Sequence, residues 1–173
     1  MSINVLPHKK FDEWMADFQL SDSHPPMPDE AVISICCTPD IKHNYLEGHK
    51  HETDEHWFKQ NHSNVLNIDF DDITCPVQKT KYGTAYGITD EQADTIVRFI
   101  NDHIEADNWY IHCRAGRCRS VAVGLFVKEF LKKHGKNLHF HTSRLITYQN
   151  LYVAQKLREA ETRISQLRTS ERA

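Results

Sequence analysis

The sequence contains no apolar run near the roughly 18 residues that a membrane span needs, and its opening, MSINVLPHKK, has no apolar core of the secretory kind. These absences predict a cytoplasmic chain without a membrane span. Charge of one sign is also missing. The 21 Lys and Arg against 24 Asp and Glu leave a formal net charge of −3, so nothing draws the whole chain toward nucleic acid and any basic site must be local. Cysteine is sparse and odd in number: Cys36, Cys37, Cys75, Cys113 and Cys118 include no CxxC pair. That argues against a disulfide framework and against a common zinc module, and predicts reduced thiols. Repeats and low-complexity linkers are absent as well, and 173 residues suit a single domain with a real core.

What is present alternates between two periods. Short β-prone runs at 3–6, 31–36, 65–70 and 109–113 predict strands. Between them lie helical stripes, first Phe11, Trp14, Met15 and Phe18 on one face. A capping box from Thr89 to Gln92 then opens a helix carrying Ala93, Ile96, Val97, Ile100 and Ile104. Another helix is predicted over 119–133, closed by Gly135, with Val123, Val127, Phe130 and Leu131 inward, and a last one over 148–167. Strands alternating with helices predict a mostly parallel sheet covered on both faces. Two polar stretches interrupt the pattern: a Pro-rich loop at 21–30 and a histidine-rich excursion at 43–64. The centre of the latter, HKHETDEH, offers His49, His51 and His56 to a metal, but nothing fixes them on one rigid face, so a solvated segment without metal is expected.

The chemistry concentrates in IHCRAGRCRS, residues 111–120. NWYIHC ends a buried strand, RAGRC turns, and RSVAVGLFVKEF begins a helix, which places the loop at the carboxyl end of a parallel strand, where α/β sheets bind ligands. A helix start offers unpaired N–H groups and the positive end of the dipole. Gly116 can take positive φ, so that the amides of Arg114, Ala115, Gly116, Arg117 and Cys118 can face a phosphate, and Arg119 adds a planar fork. The same positive field favours a thiolate at Cys113. A shuffled chain of this composition would show His-Cys-x5-Arg only about 0.02 times. An inert buried cysteine beside a basic turn is the plain alternative; zinc held by His112, Cys113 and Cys118 lacks a fourth ligand at a recognised spacing.

HCRAGRCRS resembles the HCx5R signature of the cysteine-based protein tyrosine phosphatase superfamily, specifically its small dual-specificity branch. The resemblance extends to the strand near Ala31, to NVLNIDFDDI, to the helices after Thr89 and Arg119, and to Asn150 and Gln155 in NLYVAQKL. It implies a single α/β domain whose sheet of four or five strands is flanked by helices. It also implies a cofactor-free hydrolysis of phosphomonoesters through phosphocysteine: Cys113 attacks, Arg119 and the loop amides hold the phosphoryl oxygens, and Ser120 assists the departing thiolate. His112 is expected to orient the loop through backbone hydrogen bonds. A proton donor is also required, and IDFDDIT supplies Asp69, Asp71 and Asp72 just past a strand end. The family's FDD run carries its acid at the second aspartate, which matches Asp72, with Asp71 the runner-up and a solvated turn the plain alternative.

Phosphoproteins bearing phosphotyrosine, or phosphoserine and phosphothreonine, are the implied partners. Arg114 and Arg117 keep an anionic phospho-metabolite, lipid headgroup or RNA 5′-phosphate open, since relatives acting on phosphoinositides and phosphatidylglycerophosphate carry basic residues there. A catalytically silent phosphate-binding module is the reading of another class. Cys36, Cys37, Cys75 and Cys118 are candidates to trap an oxidised Cys113 as a disulfide, as some relatives do.

Overall fold

The computed structural model describes residues 1–48, 54–142 and 148–170. In chain order the elements are β1 (Ser2–Pro7), α1 (His8–Asp17), β2 (Glu30–Cys36), α2 (Pro39–Gly48), β3 (Val65–Asp69), β4 (Val77–Thr80), β5 (Gly83–Tyr86), α3 (Asp90–Asp102), β6 (Asn108–Cys113), α4 (Arg119–Lys133), β7 (His139–Thr142) and α5 (Leu151–Ser170). The four strands predicted from β-prone runs are β1, β2, β3 and β6. With β7 they form one parallel sheet in the order β3-β2-β6-β1-β7, an α/β architecture with helices against the sheet. Pro7 of β1 and Ile35 of β2 both pair with Cys113 of β6, so the carboxyl ends of the three inner strands finish side by side.

Strand alternation sorts the side chains onto two faces. Ile3, Val5, Ile33, Ile35, Trp109 and Ile111 share one large core with the apolar stripes of α3, α4 and α5. Val32 and Tyr110 point the other way and meet Phe11 and Met15 of α1 together with Phe58 in a smaller core. The buried polar residues Asn4, Ser34 and His112 fall on this second face.

Local signals read from sequence hold where the helices begin and end. Thr89 Oγ1 accepts from Gln92 N at 3.2 Å while Gln92 Oε1 accepts from Thr89 N at 3.0 Å, completing the capping box of α3. Helix α4 has the predicted bounds, and Gly135 follows it at φ 82°. Gly124 lets α4 lie close to β1, since a Cβ there would come within 2.6 Å of Val5 Cγ2.

Four expectations change. Phe18 does not share the buried face of α1: the helix ends at Asp17, Phe18 is its cap residue and stays exposed, and Gln19 turns the chain at φ 56°. The last helix starts at Leu151 rather than 148. The polar run 73–87, whose composition reads as a loop able to close over the site, instead carries the β4–β5 hairpin, antiparallel and separate from the main sheet. The 43–64 excursion is only partly solvated. Phe58, Asp54 and Asn64 are buried, His56 bonds to Ser34 and Asp69, and the Asn64 amide holds the 21–30 loop through Pro26 O, Met27 O and Glu30 O. His49 and His51 lie outside the described residues. Among the described residues, no helix is long and apolar enough to cross a membrane.

Candidate active site

Cys113 ends β6, and the chain then turns sharply, with Gly116 N donating to Cys113 O at 3.1 Å. Gly116 sits at φ 60°, and a Cβ on it would lie 2.4 Å from Pro7 N, so neither the conformation nor the space admits a side chain. The loop's carbonyls are tied outward: Arg114 O accepts from His8 N at 3.2 Å, and Cys118 O accepts from Ala122 N at 3.0 Å and Asn150 N at 3.2 Å. Across a trans peptide the next N–H points opposite to its carbonyl, so the amides of Ala115 and Arg119 face away from those donors.

Cys113 Sγ is buried and lies 3.1 Å from Ser120 Oγ. Ser120 therefore serves the thiol and not the helix end: Cys118 occupies the cap position of α4 without a side-chain cap bond. Arg119 is buried beside them. Its Nη1 donates to Phe70 O at 2.6 Å and to Cys36 O at 3.1 Å, its Nη2 lies 3.5 Å from Cys37 Sγ, and its Nε has no partner. Two backbone carbonyls from the ends of β2 and β3 thus fix the guanidinium. Burial opposes the charge, but nearby Cys37 and Cys113, with Asp54 and Asp72, outweigh it and raise the Arg119 pKa.

The loop opens into a cavity of about 860 Å³ walled by Cys113, Arg114, Ala115, Cys118 and Arg119, by His8, Lys9, Asp12 and Glu13 of α1, by Cys37 and Ile41, and by the Asp71–Ile73 turn and the hairpin. Arg117 is turned outward, 6.0 Å from the Tyr148 ring.

The two candidate aspartates separate on their partners. Asp71 is buried, with Oδ1 accepting from Thr38 N at 3.0 Å and Oδ2 accepting from Thr38 Oγ1 at 2.6 Å and Tyr86 N at 2.8 Å. It ties the end of β2 to the hairpin. Asp72 is exposed on the cavity wall, and Asn150 Nδ2 donates to its Oδ1 at 2.8 Å and to Ile73 O at 3.0 Å. Asn150 thereby positions the carboxylate, while Gln155 bonds only to Glu159 on the exposed side of α5. Asp69 accepts from His56 at 3.0 Å and is absent from the cavity wall.

His112 does not hold the loop by backbone bonds. Its Nε2 meets Ser34 Oγ at 2.7 Å, its Nδ1 is unpartnered, and its ring stacks on Phe11 at 4.0 Å. Burial first, then the neighbouring His8 and His56, hold its pKa well below the ordinary histidine value.

All five cysteines are free thiols. Burial pushes Cys37 up to about 12, with Arg119 opposing and Asp54 reinforcing the shift. Burial and then the Asp72 bond and charge push Cys118 up to about 11. Both share the cavity wall with Cys113, whereas Cys36 and Cys75 do not. No sequence signal marks the contact of Cys37 with Arg119 or of Thr38 with Asp71, because neither pairing has a characteristic spacing.

No protein-family model matches this chain, and no curated protein and no solved structure matches it either.

Proposed function

We propose that this chain is a cysteine-dependent phosphomonoester hydrolase of the protein tyrosine phosphatase superfamily, dual-specificity type, acting on phosphorylated proteins in the cytoplasm. The observation that carries this reading is the 3.1 Å contact between Cys113 Sγ and Ser120 Oγ, in a loop whose buried Arg119 lines the same cavity. Cys113 Sγ attacks phosphorus, the bond to the leaving oxygen breaks, and Asp72 gives that oxygen its proton. Arg119 and the loop amides take the charge on the equatorial oxygens. Asp72 then removes a proton from water, water attacks phosphorus, and the P–S bond breaks with the Ser120 hydroxyl donating to the departing sulfur. Phosphate leaves and the attacking thiolate is restored without a cofactor.

Asp72 carries the acid role because Asn150 orients it into the cavity while the lone pairs of Asp71 are spent on Thr38 and Tyr86. Asp12 and Glu13 of α1 bring negative charge to the cavity wall and oppose a multiply phosphorylated headgroup, which favours a phosphorylated side chain over an inositol phosphate.

Steady hydrolysis of an aryl phosphate is expected, falling at least about 10³-fold in Cys113→Ser. Binding of phosphate without turnover in the wild type would instead mark a silent binding module. Asp72→Ala is expected to slow a phosphopeptide by about 10² to 10⁴-fold and an activated aryl phosphate far less. Equal losses on both substrates would remove Asp72 from the acid role. A panel of phosphopeptides, inositol phosphates and 5′-phosphorylated RNA assigns the substrate class.

A further inference from the structure

The second face of the sheet contains a cluster that the hydrolysis does not use. One ring nitrogen of His8, the Cys36 sulfur and a carboxylate oxygen of Asp54 lie within 4.8 Å of one another, all three residues buried. Two of these groups lack partners: His8 Nδ1 and Asp54 Oδ1 are buried without a hydrogen bond, in residues 4% and 1% exposed. The other Asp54 oxygen accepts from the Cys37 N–H at 2.8 Å, and the Cys37 thiol also bonds the carboxylate. A carboxylate so deeply buried, with one bare oxygen, is stabilised further by a cation placed on that oxygen, beyond the field of Arg119.

A fourth donor is adjacent. His56 Nδ1 lies 3.5 Å from Cys36 Sγ. Asp69 can only accept, so its 3.0 Å contact with His56 places the ring hydrogen on Nε2 and leaves Nδ1 with a lone pair, which Ser34 Oγ contacts at 2.6 Å. His8 repeats the arrangement, with Nε2 3.3 Å from Asp12 Oδ2 and Nδ1 turned inward without a partner. A carboxylate on one ring nitrogen, with the other nitrogen free to coordinate, is how histidine ligands are oriented in metal centres.

We propose that His8, Cys36, Asp54 and His56 form a closed, tetrahedral site for a Zn²⁺-class cation. The mixed nitrogen, sulfur and oxygen set suits a borderline-soft ion, and four protein ligands with no open position define a structural centre. Bonds of about 2.0 to 2.3 Å place tetrahedral ligand atoms roughly 3.3 to 3.8 Å apart, so the His8, Cys36 and Asp54 atoms, within 4.8 Å of one another, close by about an ångström, and His56 Nδ1 already stands 3.5 Å from the Cys36 sulfur. On binding, Cys36 gives its proton to solvent and Ser34 releases His56 Nδ1 while keeping its contact with His112. The cation cross-links the start of α1, the end of β2 and the 54–56 segment. It also backs the catalytic loop, since the His8 amide holds Arg114 O and Cys37 follows Cys36 into the cavity wall.

The test uses the full chain, stripped with a chelator and titrated with Co²⁺. One equivalent is expected to give intense tetrahedral absorption with a thiolate-to-cobalt charge-transfer band, displaced by one equivalent of Zn²⁺. The zinc is expected to raise the unfolding midpoint by at least about 5 °C. The band is expected to persist in Cys37→Ser, Cys75→Ser, Cys113→Ser and Cys118→Ser, which leaves Cys36 as the sulfur even if its own variant fails to fold. Asp54→Asn is expected to weaken Co²⁺ at least about tenfold. Absence of a thiolate band at stoichiometric cobalt overturns the proposal, and so does a band that vanishes in Cys113→Ser or Cys118→Ser.

Discussion

The two faces of the sheet are built on opposite plans. Ile33 and Ser34 are consecutive residues of the same central strand, both buried, yet Ile33 enters an aliphatic core shared with three helices while Ser34 joins His56 and His112 in a polar chain. The first face is held by area removed from water, which tolerates a change of shape at a graded penalty. The second depends on donors and acceptors meeting in fixed pairs, where losing one partner leaves another buried and unsatisfied. Stability is concentrated on the one face, while the other reaches the Cys113 loop through the His8 amide on Arg114 O.

Substitutions at the two neighbours break this contrast most directly. Ile33→Ala is expected to destabilise by about 2 to 5 kcal/mol in denaturant unfolding, through lost transfer energy and the cavity left behind. Ser34→Ala removes little volume but leaves His56 Nδ1 and His112 Nε2 without their shared hydroxyl, for an expected loss of about 1 to 3 kcal/mol. If Ser34→Ala proved neutral, the polar chain would be incidental and the second face merely a poorer core.

The smallest effect concerns a thiol on the same cavity wall as Cys113. Cys118, held up to about 11 by burial and by Asp72, is protonated at pH 7, so its alkylation, followed peptide by peptide, should accelerate as pH rises toward that value. Asp72→Asn removes a negative charge and an acceptor from its side. That lowers the Cys118 pKa and speeds its labelling at any fixed pH below it. Unchanged labelling would separate Asp72 from the loop.

Much of the first face was legible in the sequence because its signals are local. The Thr89 box, the 3.6-residue stripes of α3 and α4 and the β-prone strands each announce themselves within a dozen residues. The Cys113 loop was legible for the same reason, as a strand, a glycine turn and a helix in one run. The β4–β5 hairpin was not, since its strands have four residues each and Lys81–Tyr82 at the turn lacks the Asn-Gly chemistry that marks a hairpin. Strand β7 was equally silent, being an edge strand of four residues, two of them histidine. The choice between Asp71 and Asp72 was beyond reach because Thr38 and Asn150, which separate them, stand 33 and 78 residues from the aspartates they bind. The second face stayed hidden for that reason too: His8, Ser34, His56 and His112 have no common spacing and meet only through the order of the strands.

The contact of Gly116 with Pro7 sets a condition on how the molecule matures. The loop acquires its shape only once β1 has docked beside β6, a pairing between segments 106 residues apart in the chain. Such distant closures form late and all together. A partly unfolded chain therefore carries every residue of the loop but none of its architecture, and Cys113 gains its surroundings only when the N-terminal strand comes home.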